Sequence, residues 1–151
     1  MADNIENKTE LVVDGSGQIA GRLGSKISKL LLEEKHIYVI NADLILISGT
    51  REATLKKFFA RLELGSIINP KYGPFHPRSP SRIFSRMVRG MVPRRKPRGL
   101  KAIQRLRVYE GEPDRLKSLQ RQIFKDTKAS KPIAYYTSLA EIAKTIGWAG
   151  E

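Results

Sequence analysis

The alternation of apolar and polar positions divides the chain into short extended segments and amphipathic helices. Residues 11–14 (LVVD) read as a buried strand, and Gly15-Ser16-Gly17 turns the chain behind it. Ile19, Leu23, Ile27, Leu30 and Leu31 then fall three and four apart, the spacing of a single helix face. Residues 36–41 (HIYVIN), rich in β-branched and aromatic side chains, predict a second strand, and residues 44–48 (LILIS), closed by Gly49, a third. Over residues 50–62 the helical spacing returns through Leu55, Phe58, Phe59 and Leu62, which assigns both phenylalanines to core packing. Strands that alternate with helices in this way indicate an α/β fold.

The texture changes at residue 70. Six of the eight prolines lie within 70–97, and Gly73-Pro74-Phe75-His76-Pro77 can be neither regular helix nor central strand, so an ordered extended loop is expected. Ser79 and Pro80 then supply an N-cap and a first-turn proline for a helix reaching about Met91. At about 100° per residue, Arg78, Arg82, Arg86 and Arg89 fall within about 80° of one another, while Ile83, Phe84, Met87, Val88 and Met91 centre on the opposite side. Residues 92–97 (VPRRKP) link this helix to a second run of helical spacing over 99–107, through Leu100, Ile103 and Leu106, with Lys101 and Arg105 facing outward. Near the end Ser138 and Glu141 form a capping box for a helix that Gly147 terminates, and Trp148 is expected to pack back on the core. No repeat or long linker divides the chain, so residues 1–151 are expected to form one domain with a distinct basic segment at 64–109.

Charge sharpens that segment. The net formal charge is +13, yet every Asp and Glu lies at or before Glu63 or at or after Glu110. The 46 residues between them carry twelve cations: Lys71, Arg78, Arg82, Arg86, Arg89, Arg94, Arg95, Lys96, Arg98, Lys101, Arg105 and Arg107. The other 105 residues hold 16 basic and 15 acidic groups, so twelve of the thirteen net charges are local. A short charge run is usually a solvated face, but a solvated face has no reason to exclude carboxylates. A polyanion nearby supplies that reason. Nine of the twelve are arginine, whose planar fork grips phosphate oxygens in pairs and stacks on bases.

The same composition closes other routes. Without cysteine there are no disulfides or thiolate metal sites, and only His36 and His76 could supply imidazole, so no metal or cofactor is expected. No apolar run approaches the ~20 residues of a spanning helix, and the polar, acidic N-terminus is unlike a signal peptide; membrane is not an expected partner and the location is expected to be cytoplasmic. Gly15-Ser16-Gly17-Gln18-Ile19-Ala20-Gly21 lies between a strand and a helix, where a dinucleotide fingerprint would stand. The third glycine falls four positions after the second instead of three, and Asp43 lies too far along, so a structural turn is favoured over a small-molecule site. Asp14, Asn41 and Asp43 stand at predicted strand ends, which carry caps and turns more often than active groups. His76, between two prolines, has no carboxylate or nucleophile near it and reads as a stacking or hydrogen-bonding residue, not a catalyst. DNA-reading signatures are missing, whereas a proline-stiffened basic loop with Tyr72, Phe75 and His76 suits an irregular RNA surface.

Residues 73–89 (GPFHPRSPSRIFSRMVR), followed by Gly90-Met91-Val92-Pro93 and by residues 106–111 (LRVYEG), resemble the universal ribosomal protein thirteen family of the large subunit. The likeness extends to Val12-Val13-Asp14-Gly15, Gly21-Arg22-Leu23, Ile47-Ser48-Gly49, Ala134-Tyr135-Tyr136 and Ile146-Gly147-Trp148, and is strongest to the archaeal branch. The resemblance implies a three-layer α/β/α domain around a small, mostly parallel sheet, with basic proline-rich and helical extensions. It further implies binding to large-subunit rRNA, support of subunit assembly, contact with neighbouring large-subunit ribosomal proteins, and no catalytic residue. Carried across, the RNA-contacting motif falls on His76, Arg78, Arg82, Arg86, Arg89, Arg94, Arg95, Lys96, Arg98 and Lys101; Arg22 from the first strand-helix unit, and the outward Arg105, join that set. Residues 113–131 depart from the family pattern and are left unassigned.

Overall fold

The computed structural model describes residues 10–119 and 121–150. The N-terminal residues read above as unlike a signal peptide lie, up to position 9, outside the described residues.

Strand β1 (Glu10–Asp14) and strand β2 (His36–Ile40) run parallel, joined by helix α1 (Ala20–Leu32). Their side chains alternate between two faces, as a strand requires. Val13, Ile37 and Val39 point to the larger core, while Val12 and Ile40 point to a smaller cluster on the other side. All five are fully buried, which is why these two strands read as continuous apolar runs rather than as an alternation. Strand β3 (Leu46–Ser48) is shorter than its apolar run, because Asn41 adopts a left-handed conformation (φ 54) and the chain passes through a 3-10 turn at Ala42–Leu44.

Helix α2 (Arg51–Glu63) lies at the periphery. Leu55, Phe58 and Leu62 are partly buried against the core, but Phe59 is 42% exposed, so the expected core role holds for one phenylalanine and fails for the other. Helix α3 (Pro80–Met91) starts and stops where the sequence places it, with Pro80 in its first turn. Its Ile83, Phe84 and Val88 are buried, and its last turn packs on α1, where Met91 Sδ lies 3.0 Å from the position a Cβ would take on Gly24.

Helix α4 covers Pro97–Gln104 only; residues 106–107, read above as its continuation, belong to strand β4 (Leu106–Val108). Leu106 buries equally well in either structure. Parallel pairing with β2 decides the outcome, placing Leu106 beside Ile37 and Val108 beside Val39. Strand β5 (Arg121–Gln122) completes a parallel sheet of order β4-β2-β1-β5. Strand β6 (Tyr136–Ser138) pairs antiparallel with β3 in a separate ribbon and leads into helix α5 (Leu139–Thr145). The fold is therefore α/β with a mostly parallel sheet. Helices α1, α3, α4 and α5 contribute to the larger core, and the opposite face is covered thinly by Leu116 from a 3-10 turn, beside Tyr38 and Tyr109.

Ser138 Oγ accepts the Glu141 N–H at 3.2 Å, one half of the expected box; the Glu141 carboxylate pairs instead with Arg51. The two helices at the ends of the chain stop in the same way. In α1 the N–H groups of Glu34 and Lys35 return to the carbonyls of Leu31 and Leu30, and in α5 those of Gly147 and Trp148 return to Lys144 and Ala143. Trp148 is half-buried at the surface instead of joining the core.

Gly99 tests how tightly the turn before α4 is built. A Cβ there would lie 2.2 Å from the Pro93 carbonyl oxygen. Alanine gains up to about 1 kcal/mol of helix propensity over glycine, but a backbone collision of this size displaces the whole turn. Gly99→Ala is therefore expected to destabilise the protein by about 1–3 kcal/mol, measured as a lower midpoint in urea unfolding with an unchanged slope.

Candidate nucleic-acid interface

After α2 the chain makes a proline-rich excursion and returns. His76 ties its two ends, with Nε2 3.1 Å from the Leu64 carbonyl; that carbonyl can only accept, so Nε2 is the donor. Arg86 reaches back from α3 to donate from Nη1 to the Phe75 carbonyl at 2.6 Å. These two bonds hold the excursion over the N-terminal half of α3.

Between this loop, α3 and β4 lies an open cleft of about 440 Å³, lined by Phe75, His76, Ser81, Arg82, Ser85, Arg86, Arg89 and Arg107 among others. Four guanidinium groups thus converge on one concavity. Arg107 was not among the residues carried over from the family motif. Reading 106–107 as helix hid its place, because the strand at the sheet edge is what brings it to α3. A second concavity continues past Ser81 and Arg82 to Arg78, Tyr109, Glu110 and Trp148. Arg78 lies against the end of α5, where a Cβ on Gly147 would come 2.8 Å from its Nη1. Beyond Arg89 the cationic surface runs on to Arg94, Leu100, Ile103 and Gln104. Arg94, Arg95, Lys96, Arg98 and Lys101 are all exposed on the turn and on α4.

The sites read from the sequence do not all converge. Arg22 is exposed on α1 and is not among the residues that line these clefts. Arg98 donates to the Leu32 carbonyl at 2.9 Å, and Arg105, with its side chain 19% exposed, lies 3.4 Å from both the Leu31 carbonyl and Glu34 Oε1. Both arginines therefore close the C-terminal end of α1, where the helix dipole favours a cation. Among the described residues, Arg105 is the one member of the twelve cations at 64–109 in an ion pair with a carboxylate. The nearest acidic group in sequence, Glu110, turns to the start of α3, where Oε1 accepts from the Ser81 N–H at 3.2 Å and from Ser81 Oγ at 2.6 Å. The expected N-cap Ser79 makes no capping bond with its side chain.

The ends of the parallel strands are occupied by the chain itself. Where a pyrophosphate would meet the start of α1, the Ile19 N–H donates to the Thr127 carbonyl at 2.8 Å. The Ala129 N–H donates to the Gly17 carbonyl at 3.1 Å, and Thr127 Oγ1 bonds to the side-chain oxygen of the buried Gln18. Residues 124–129, unassigned from sequence, thus stitch the glycine turn shut. Burial alone would raise the Asp14 pKa, but bonds from the Ser16 N–H, Asn41 Nδ2 and Ser16 Oγ, with the nearby Arg121, outweigh it and hold the carboxyl below its ordinary range. Asp14 is therefore committed to the turn as a carboxylate and is not poised to exchange protons near neutrality. Among the described residues no group of His, Asp and Glu is placed to hold a metal ion, and no helix is long and apolar enough to cross a membrane.

Comparison with known proteins gives a consistent result. The family model described as Ribosomal protein L13 matches residues 8–115. The chain is similar to a protein of Aeropyrum pernix named large ribosomal subunit protein uL13, 42% identical over 93% of this chain and 92% of that protein. Proteins of the same name from Archaeoglobus fulgidus and Methanosarcina barkeri are 40% and 38% identical, over 92% and 90% of this chain and 88% and 96% of their own lengths.

The geometry separates arginines that hold the fold from arginines that face solvent. Arg105→Ala is expected to lower unfolding free energy by on the order of 1 kcal/mol through the loss of its bonds to α1. Arg89→Ala, which breaks no hydrogen bond or ion pair among the described residues, should change it by less than ~0.5 kcal/mol. Urea titration of the two variants beside the parent protein checks the difference.

Proposed function

Because the chain belongs to the ribosomal protein L13 family, we propose that it is a structural, non-enzymatic constituent of the large ribosomal subunit that binds large-subunit rRNA through residues 64–109 and supports assembly of the subunit. The observation that carries this reading is the cleft in which Arg82, Arg86, Arg89 and Arg107 meet with no carboxylate among the described lining residues. Holding four guanidinium groups together is unfavourable in the free protein and becomes favourable when phosphates enter.

In this reading the Arg82–Arg86–Arg89 stripe and Arg107 grip the sugar-phosphate backbone. Arg94, Arg95, Lys96 and Lys101 extend the grip along the turn and α4, and Arg78 and His76 extend it toward Trp148. Arg98, Arg105 and Arg22 add to the positive field from the edges. The protein then works in the cytoplasm as part of the ribosome, beside neighbouring large-subunit proteins, with no cofactor and no small-molecule substrate.

If about six phosphates are neutralised, affinity falls roughly 10³-fold between about 50 and 200 mM salt, with a log–log slope near −5. Replacing Arg82 and Arg89 together by alanine should weaken binding to deproteinised large-subunit rRNA and reduce that slope by about two. Filter binding over a salt series measures both quantities. Parent protein whose affinity for rRNA is insensitive to salt would refute the mechanism.

A further inference from the structure

Beside the arginine cleft, residues of α2 and α3 line a groove of about 240 Å³. Phe58, Leu62, Ile83, Met87 and Ile146 give it apolar walls, and Arg61 and Arg86 stand among its polar lining. The Arg61 guanidinium lies 5.6 Å from the centroid of the Phe58 ring. His76, Pro77 and Arg86 line both this groove and the arginine cleft, so the two concavities share a wall. Among the described residues no carboxylate lines either of them.

We propose that this groove receives a single unpaired nucleobase of the rRNA, turned out of its stack, while the flanking phosphates lie on Arg86 and Arg61. The proposal rests on the rRNA-binding reading and names what that reading leaves open, namely how the surface distinguishes folded rRNA from any other polyanion. Phosphate contacts position an RNA without reading it; a pocket for a splayed base selects loops and bulges over continuous helix.

Three features favour a base over an apolar side chain from a partner protein. The lining combines the Phe58 ring, the Arg61 guanidinium that lies over it and the His76 imidazole, planar groups of the kind on which a base stacks. The guanidinium groups of Arg61 and Arg86 would lose water under an apolar partner with nothing in return, whereas a nucleotide carries its own phosphate. Finally, the groove adjoins the cationic cleft, so one strand can occupy both without a break. The groove suits one planar ring system, which also sets the stoichiometry at one base.

Gly90 offers a clean test. It lines the groove, and a Cβ built on it meets nothing within 4 Å, so Gly90→Leu adds an apolar side chain at the groove without a clash at its Cβ. The substitution replaces glycine within α3 and should leave thermal unfolding unchanged or slightly raised. The full-length variant is titrated against deproteinised archaeal large-subunit rRNA and against a fully paired RNA duplex, each over a salt series. Expected are a roughly 5- to 150-fold loss of rRNA affinity, the equivalent of one stacked base, an unchanged salt slope, and unchanged affinity for the duplex. Unchanged rRNA affinity would overturn the proposal; so would an equal loss on both RNAs. Normal binding to bare rRNA combined with failure to enter subunits would assign the groove to a protein neighbour instead. Failure of the parent protein to bind rRNA in a salt-dependent manner would sink the underlying reading and is seen separately from the effect of Gly90→Leu.

Discussion

Mutual repulsion among Arg82, Arg86 and Arg89 would unwind or displace α3 if the helix had to stand alone. Like charges three or four residues apart cost roughly 0.2–0.5 kcal/mol per pair on an exposed helix. On the reverse face Ile83, Phe84 and Val88 are almost completely removed from solvent, and burying such side chains contributes about 1.5–3 kcal/mol each. The apolar face outweighs the repulsion several-fold. That excess fixes α3 on α1 and the sheet edge, and it lets the arginines stay close together without carboxylates between them.

Much of the surrounding structure follows from seating α3. Gly24 in α1 leaves room for Met91, which brings the two helices close at the end of α3. The tight turn behind Met91, with Gly99 pressed against the Pro93 carbonyl, returns the chain into α4. Arg98 and Arg105 then spend their charge on the carbonyls that end α1. The cationic segment is thus divided between side chains that hold α1, α3 and α4 in register and side chains left outward. A count of positive charges cannot make that division; hydrogen-bond geometry does.

What could be read along the chain was local. The strand at 11–14, the helical face from Ile19 to Leu31, and both ends of α3 depend on residues a few positions apart, and the structure has them there. The errors and gaps have the opposite character. Leu106 and Val108 become strand because β2 lies beside them, and three residues are too few to display a period of two. Strand β5 has two residues paired with β1 more than a hundred positions away. Phe59 shares the spacing of Phe58, but α2 sits at the periphery and buries only part of that face. The closure of the glycine turn by Thr127 and Ala129 is likewise invisible until the fold brings the segments together. The cleft inherits this limit. Its arginine stripe was legible because one helix carries it, whereas the place of Arg107 beside that stripe, and the groove beside Arg61, depend on other elements brought together by the fold.

The position of Glu110 gives the cationic surface a direction. It is the first carboxylate after the basic segment, and its bonds to the N–H and Oγ of Ser81 place it at the start of α3. There it satisfies a free backbone donor and complements the positive end of the helix dipole, a site an RNA phosphate would otherwise favour. With that end filled by the protein's own anion, a phosphate chain meets the least opposing charge from Arg86 and Arg89 onward, toward Arg94 and α4. The carboxylate that completes the start of the helix would thus also turn a bound phosphate chain away from it, so the absence of carboxylates from residues 64–109 is completed by one placed just beyond it.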